Sequence, residues 1–231
     1  NHFETAEKNS ITIHKAHVTG FLLKIPPWTP DLILVNNDFS GGIPSAIKKI
    51  VQPLVPTPLI GWHTRKKSHH FMCYRELAKD FSKLVGIDPW LITACFRCMG
   101  EIDFADQKSM TQLASKVDIL LSEIRPKYKG YKIKSVPYVF VKNDAGTYGM
   151  AVMTVTSGDE LLHLNKKDRT RMKMGKGKKV VSEVILQEGI PTVDRFKGMV
   201  AEPVIYLVNN QVCGGFFRLN EEGDNRGNLN Q

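Results

Sequence analysis

A chain of 231 residues, 42% hydrophobic and 24% charged, has globular composition and enough apolar material for one large domain or two small ones. No apolar run reaches the ~18–20 residues of a membrane span and no cleavable signal peptide opens the sequence, so we expect a soluble, cytoplasmic protein with no membrane partner. The net charge of +9 is concentrated between Asn165 and Lys179, where eight residues are basic and one is acidic. Such a tract can bind nucleic acid or close over a triphosphate, and composition leaves both open.

The first part of the chain predicts an α/β arrangement. The apolar run at residues 32–35 predicts a strand that is buried on both faces of a parallel sheet. It ends at Asn36, Asn37 and Asp38, and a helix is predicted at residues 45–51. Because ligands collect at the carboxyl ends of strands in α/β sheets, these three polar residues are candidates for a site. An ordinary turn rich in Asn and Asp is the alternative.

A cationic stretch comes next. Residues 58–60 predict another short strand, and residues 61–70 hold three histidines and three basic residues. The stretch fits a cationic loop for a carboxylate or phosphate, a metal site, or solvated surface. No carboxylate or cysteine lies among the histidines, which disfavours the metal site.

Two amphipathic helices follow. The first ends at Gly86, and the second runs over residues 109–125 and ends at Pro126. Their apolar stripes comprise Tyr74, Leu77, Phe81, Leu84 and Val85 in the first helix, and Leu113, Val117, Leu120, Leu121 and Ile124 in the second. We place the main boundary after the second helix, which gives an unassigned segment 1–30, an α/β domain 31–126 and a second domain 127–231.

The four cysteines of the chain fit a reducing compartment better than a disulfide scaffold. Cys95 and Cys98 have the CxxC spacing of a redox site or of half a zinc site. No second CxxC occurs, so we interpret the spacing as a coincidence.

A hairpin with a glycine-containing loop is the strongest local feature. A β-rich run at residues 138–141 ends in Lys142, and a loop with Gly146 and Gly149 leads into a strand at residues 150–155. Glycine lets backbone N–H groups approach phosphate oxygens, and a lysine at the mouth of the loop adds positive charge. A plain hairpin with a long, flexible tip and an incidental lysine is the alternative. Neither GxxxxGK[ST] nor GxGxxG occurs, which disfavours the P-loop and Rossmann classes.

Further elements complete the chain. They are a helix at residues 159–164, the basic tract as a loop, and strands at residues 180–186, 204–208 and 212–218. Gln187, Glu188 and Gly189 follow the first of these strands. Asn209 and Asn210 suit the turn between the last two, because Asn tolerates positive φ.

From residue 136 onward, this order of elements resembles the ATP-grasp superfamily, and residues 226–229, Arg-Gly-Asn-Leu, resemble bacterial glutathione synthetase. A narrower resemblance covers about 200 residues, from residue 30 to the end. The motifs that carry it are LVNNDFS at 34–40, GWHTRKKS at 61–68, GIDPWLI at 86–92, DAGTYGM at 144–150, SEVI at 182–185, QEG at 187–189 and AEPV at 201–204. They are similar to the bacterial ATP-grasp-like glutamate–cysteine ligases.

The resemblance implies an α/β (α+β), ATP-grasp-like fold: a parallel-sheet N-terminal part, then mixed or antiparallel sheets with a Gly-loop hairpin as a lid. It makes 31–126 the substrate-side domain and 127–231 the nucleotide-binding domain. The implied enzyme is an ATP-dependent glutamate–cysteine ligase, which joins the γ-carboxyl of glutamate to cysteine through an acyl phosphate in the first step of glutathione biosynthesis. Another ATP-grasp peptide ligase, similar to glutathione synthetase, and a degenerate module without activity are alternatives.

The implied cofactors are ATP and Mg²⁺. A non-enzymatic nucleic-acid-binding protein that uses the basic tract is the alternative from a different class. The tract has no aromatic residue for base stacking, so we expect no nucleic-acid partner. Assembly into a homo-oligomer is left open.

The resemblance also implies individual site residues. The catalytic residues are Lys142 and Arg218. The nucleotide-binding residues are Lys142, Gly146, Thr147, Tyr148, Gly149, Lys166, Arg169, Gln187, Glu188, Gly189, Ile190 and Asn228, of which residues 187–190 form a hinge segment that carries the adenine. The residues expected to contact the amino-acid substrates are Asn36, Asn37, Asp38, His63 and Arg65. The Mg²⁺ ligands are expected beyond residue 231, in a part of the domain that this chain lacks.

Overall fold

The computed structural model describes residues 2–4, 8, 10–37, 39, 42–61, 64–145, 151–175 and 180–220. The chain divides into two compact units, residues 1–65 and 66–231. The main boundary predicted from the sequence is at residue 126 instead. Strand pairing crosses that position, because a strand at Phe96–Met99 pairs with one at Val184–Glu188. The division into a substrate side and a nucleotide side stays a prediction.

The first unit consists of short strands. They are β1 (His2–Glu4), β2 (Ser10–Thr12), β3 (His17–Thr19), β4 (Leu22–Lys24), β5 (Ile33–Leu34) and β6 (Leu54–Val55). The pairs β1–β2 and β3–β4 are antiparallel, whereas β5 and β6 are parallel. Gln52 ties the loops together, since its side-chain amide donates to the carbonyls of Leu23 and Pro30 and its Oε1 accepts from the Leu23 N–H.

Three predictions for this unit are wrong in their details. The strand expected at residues 32–35 has only two residues, and the Leu34 side chain is 76% exposed rather than buried on both faces. The helix expected at 45–51 is a short 3₁₀ helix, Ile47–Lys49. The strand expected at 58–60 is also a 3₁₀ helix, because Pro58 has a helical φ and the Thr57 side chain accepts a hydrogen bond from the Leu59 N–H.

The second unit holds the longer elements. They are α1 (Lys67–Val85), β7 (Phe96–Met99), α2 (Gln107–Gly130), β8 (Val139–Asn143), β9 (Val152–Val155), α3 (Asp159–Leu162), α4 (Lys166–Lys173), β10 (Val184–Glu188), β11 (Arg195–Phe196), β12 (Met199–Val208) and β13 (Gln211–Asn220). Four strands form an antiparallel sheet in the order β7-β10-β8-β9. Lys142 lies opposite Ile185 in this sheet, and Phe140 lies opposite Gln187.

Helix α2 covers one face of the four-stranded sheet. The predicted stripe is confirmed, because all five of its residues have no exposed surface. The Asp106 side chain caps the start of the helix by accepting from the Ser109 N–H. The predicted end at Pro126 is wrong, since the helix continues to Gly130. Tertiary contacts support the extra turn: Tyr128 is buried, and Lys127 pairs with Asp88.

Helix α1 lies on the opposite face of the sheet. Its predicted end is confirmed, because Gly86 adopts the left-handed conformation with φ of 72°. Phe71 packs on Phe96 of β7, with ring centroids 5.4 Å apart. The predicted apolar stripe does not face this sheet. Its residues are exposed, and the buried positions of the helix are Ser68, Ala78 and Ser82.

The remaining strands form a separate antiparallel sheet, β11-β12-β13. The turn between β12 and β13 is at Asn209 and Asn210, with φ of 47° and 62°, as the two asparagines predict. The predicted short helix is confirmed as α3. The basic tract, expected as a loop, forms α4 in its described part, and Asn165 caps this helix by accepting from the Asp168 N–H. No helix in the described ranges is long and apolar enough to cross a membrane.

The fold is thus mixed α and β with several small sheets. The parallel N-terminal sheet that the sequence analysis expected is reduced to one two-residue pairing in the described part of the chain. Among the described residues of the connection between its strands, the helical element is a 3₁₀ turn rather than the crossover helix that parallel sheets use.

Candidate functional site

The two faces of β8 separate the core from a polar site. Side chains alternate along a strand, so Val139 and Val141 lie in the core beside α2, whereas Phe140 and Lys142 face the other way. The Lys142 ammonium donates to Oε1 of Gln187 at 3.0 Å and lies 4.3 Å from the centroid of the Phe140 ring. The strand-end lysine and the first hinge residue, both predicted from the sequence, are therefore in direct contact.

A second lysine, Lys67, contacts the same end of β8 and was not among the site residues predicted from the sequence. Lys67 is the first residue of α1, and its Nζ donates to the carbonyl oxygen of Asn143 at 2.8 Å. Helix α1 thus begins at the base of the glycine-containing loop. The sequence offered only a weak signal, two consecutive lysines at the start of an amphipathic helix, because the contact joins residues 76 positions apart.

The pKa values of both ammonium groups lie below the ordinary value for lysine, and burial is the main cause in each case. Burial, and then the charge of Lys67, lower the pKa of Lys142 to about 8, although Glu202 opposes this shift. Burial likewise lowers the pKa of Lys67, and Asp144 opposes that shift. Like charges held together in a partly desolvated place are destabilised until an anion neutralises them. The arrangement favours binding of a polyanion.

Asp144 fixes the start of α1 against the end of β8. Its buried carboxylate accepts from the Ser68 N–H at 2.8 Å and from the Ser68 hydroxyl at 2.6 Å. Its backbone carbonyl accepts from the Lys67 N–H at 3.0 Å. Beside this contact, Lys66 and Glu183 form an ion pair at 2.6 Å. Asp144 thus caps α1 from a distant part of the chain and holds Lys67 near Lys142.

Arg218, predicted to be catalytic, lies on β13 directly opposite Glu202 of β12. The two side chains form an ion pair at 2.7 Å. Since Glu202 raises the pKa of Lys142, this pair lies within electrostatic range of the lysine cluster. A catalytic role for Arg218 stays a prediction.

The hinge residues divide between the two faces of the sheet. Gln187 points to Lys142, but Glu188 points to the opposite face, where its 2% exposed side chain accepts hydrogen bonds from Trp90 and Cys95. Strand alternation turns the Glu188 carboxylate into the core, and nucleotide binding by Glu188 stays a prediction. Ile190 is 62% exposed.

The basic helix α4 is partly occupied by internal contacts. Arg169, expected to bind nucleotide, donates from its guanidinium to the carbonyls of Leu162 and Leu164, and so caps the preceding helix. Lys173 pairs with Asp103 at 3.7 Å. Lys166 is exposed in the first turn of α4 and stays a predicted nucleotide contact.

Comparison with known proteins identifies the family. The GshA family of glutamate-cysteine ligases matches residues 1–231. The chain belongs to this glutamate–cysteine ligase family. Among solved structures, it is similar to a "putative gamma-glutamylcysteine synthetase" from Methylobacillus flagellatus KT, with 43% identity and a TM-score of 0.86. The similarity covers 99% of this chain and 54% of that one, so the chain spans about half the length of that protein. A search of curated proteins finds no match.

The substrate residues predicted for this member of the ligase family belong to the first unit, whereas the lysine cluster belongs to the second. Asn36 is exposed, and the Asn37 side chain accepts from the Phe39 N–H, as in the turn that was the alternative interpretation. Arg65 is exposed as well. The other predicted residues outside the described ranges are Asp38, His63, Gly146, Thr147, Tyr148, Gly149 and Asn228.

The CxxC pair does not form a redox or zinc site. Cys98 lies within β7 and Cys95 just before it, so the two side chains point to opposite faces of the sheet. Burial raises the pKa of the Cys95 thiol to about 12 and also raises that of Cys98, which keeps both thiols protonated. The interpretation of the spacing as a coincidence agrees with this geometry.

The described residues do not fit a Mg²⁺ site. No group of three or more potential ligands occurs among them. The carboxylates nearest the lysine cluster already have partners: Asp144 binds Ser68, Glu183 pairs with Lys66, and Glu202 pairs with Arg218.

Proposed function

We propose that this chain carries the nucleotide-binding part of an ATP-dependent glutamate–cysteine ligase, with Lys67 and Lys142 as the groups that bind the phosphates. The observation that carries the proposal is the contact between two distant segments. It places two lysines with lowered pKa values beside the glycine-containing loop. Membership of the glutamate–cysteine ligase family supplies the reaction class.

The proposed chemistry is amide formation from a carboxylate and an amine at the expense of ATP. Phosphoryl transfer depends mainly on positioning and on neutralising negative charge. Lys142 and Lys67 supply positive charge in a partly desolvated place, where it is worth more than in water. Gln187 holds Lys142 against the hinge segment, and Arg218 adds a further cation near the cluster. Closure of the glycine-containing loop would exclude water from an acyl phosphate.

Substitution of the lysines by methionine tests the phosphate assignment, because methionine keeps much of the aliphatic stem and removes the charge. We expect Lys142→Met and Lys67→Met each to weaken ATP binding about 10- to 100-fold in calorimetric titration, the loss of a charge-assisted hydrogen bond. Lys83→Met is the matched control, since Lys83 is exposed on the same helix as Lys67 and pairs only with Asp80 among its described contacts. Wild-type affinity in both variants would overturn the assignment.

The reaction itself is tested by phosphate release from ATP. We expect release that requires glutamate and cysteine together. Release that requires a different acceptor would instead support the related peptide-ligase activity. ATP binding without release under any pairing would support a nucleotide-binding module without ligase activity.

A further inference from the structure

Strands β12 and β13 form an antiparallel ribbon, and one of its faces is apolar. Side chains alternate along a strand, and Leu207 pairs with Val212, so these two residues share a face. Phe217 lies on the same face, because its partner Pro203 is four positions from Leu207, and its ring stacks on Phe196 with centroids 5.5 Å apart. We call this surface the apolar ribbon face, and its residues are Phe196, Pro203, Ile205, Leu207, Val212 and Phe217.

The opposite face of the ribbon carries charge as well as apolar side chains. It contains the ion pair between Glu202 and Arg218, together with Tyr206, whose ring lies beside Phe216 with centroids 5.9 Å apart. On the apolar ribbon face, by contrast, no charged side chain occurs among the described residues of β12 and β13. The ribbon therefore has one mixed face and one apolar face.

The apolar ribbon face is large for a surface that is open to water. Pro203 is exposed, and the other five side chains are between 41% and 70% exposed. At these exposures the face presents roughly 500 Å² of apolar surface, close to the largest patch of a typical monomer. Two such faces packed together would bury roughly 1,000 Å² in total, which is the lower limit for a specific protein interface.

We propose that the apolar ribbon face is a homodimer interface, which packs against the same face of a second copy of this chain. A symmetric contact of this kind needs a self-complementary surface. A face without charges meets its own copy without like-charge repulsion and without an unpaired buried ion. Two apolar sheet faces pack about 10 Å apart with their side chains interdigitated. The inference goes beyond the proposed function and does not depend on it.

The charge of the chain gives such an interface a distinctive dependence on salt. Each copy has a formal net charge of +9, so two copies repel each other at long range. Salt screens this repulsion and leaves the apolar contact in place. We therefore expect dimerisation to strengthen as the NaCl concentration rises from about 50 to about 500 mM, whereas an interface made of ion pairs would weaken.

Sedimentation velocity over a series of protein concentrations tests the proposal. We expect the wild-type chain to shift from the 26.0 kDa monomer to a species of twice that mass, without larger aggregates. Leu207→Glu places an unpaired charge in the interface and should raise the dissociation constant of the dimer about 100-fold. Val208→Glu is the matched control, because Val208 is the next residue along the strand, is 65% exposed and points to the opposite face. This control should dimerise as wild type does.

Val212→Glu gives an independent measure on the other strand of the ribbon and should act like Leu207→Glu. Both side chains are exposed in the monomer, so we expect urea denaturation of the monomeric variants to match wild type. If one variant does not fold, the other decides.

Several outcomes would contradict the interface. A chain that stays monomeric at every concentration would overturn the proposal and leave the face to a different protein. Wild-type dimerisation by both Leu207→Glu and Val212→Glu, or an equal loss in Val208→Glu, would show that any dimer uses another surface. A dimer that weakens as salt rises would show that charged contacts, and not this face, hold the two copies together.

Discussion

The two faces of the four-stranded sheet differ in what they contribute. The face toward α2 carries Val141, Val184 and Leu186, which are almost fully buried in one apolar cluster. The other face carries Lys142 and Gln187, which are hydrogen-bonded to each other. The Lys67 side chain of α1 donates to the Asn143 carbonyl at the end of the same strand. The apolar face stabilises the fold, whereas the polar face holds a partly buried lysine whose pKa is lowered. Neighbouring residues of a single strand thus have opposite roles.

The largest effect should come from the apolar face. We expect Leu186→Ala to lower the free energy of unfolding by about 2–5 kcal/mol, since it leaves a cavity in a core position with no exposed surface. Urea denaturation measures this change. ATP affinity, measured where the variant is folded, should match wild type. Weaker ATP binding by a Leu186→Ala variant that is as stable as wild type would contradict the separate roles of the two faces.

An intermediate effect should come from the contact that joins α1 to β8. Ser68→Ala removes the hydroxyl donor to the buried Asp144 carboxylate and should cost about 1.5–3 kcal/mol of stability. Because the same contact holds Lys67 beside Lys142, we also expect weaker ATP binding. Lys66→Met is the control: it breaks the half-exposed ion pair with Glu183, which should be worth under about 1 kcal/mol. Equal losses in the two variants would contradict a special role for the Asp144 contact.

The pH dependence of stability and of ATP affinity should report most specifically on Lys142, on the polar face. Lys142 has a pKa of about 8 when folded, against an ordinary value of 10.5, so the folded protein holds fewer protons between these values. Its contribution to stability therefore rises with pH from about 8 to 10.5. A polyanion prefers the charged lysine, so ATP affinity should fall over the same range, by at most about tenfold per pH unit.

Opposite slopes of unfolding free energy and ATP affinity are thus expected for wild type. The contributions of Lys142 to the pH dependence of unfolding free energy and of ATP affinity should both disappear in Lys142→Met. Denaturation and calorimetric titration between pH 7 and about 10 measure them. Parallel slopes, or an unchanged pH profile in the variant, would show that another group titrates.

Strong local patterns predicted much of the second unit. The spacing of Leu113, Val117 and Ile124 predicted a helix and its buried face, and both are observed. The hairpin at Lys142 and the turn at Asn209 were found for the same reason, since strand alternation and positive φ are properties of a few consecutive residues. The helix end at Pro126 was misplaced because packing of Tyr128 outweighs the local signal.

The amphipathic stripe of α1 shows the limit of such patterns. Its period correctly predicted a helix that ends at Gly86, but Leu77 and Leu84 are 69% and 83% exposed. The face that meets the sheet contains Ser68 and Ala78 instead. Hydrophobic period defines the type of element, and it does not define which neighbour the element packs against.

The sequence by itself determined that a lysine lies at the end of a strand before a glycine-containing loop, and that residues 109–125 form a helix with a buried apolar stripe. Only the tertiary structure decided that Lys67 joins Lys142, that Gln187 binds it, and that Glu188 turns into the core. The physical reason is the range of the interactions. Helix and strand periods act over a few residues, whereas the charge cluster depends on contacts between segments 45 and 76 positions apart.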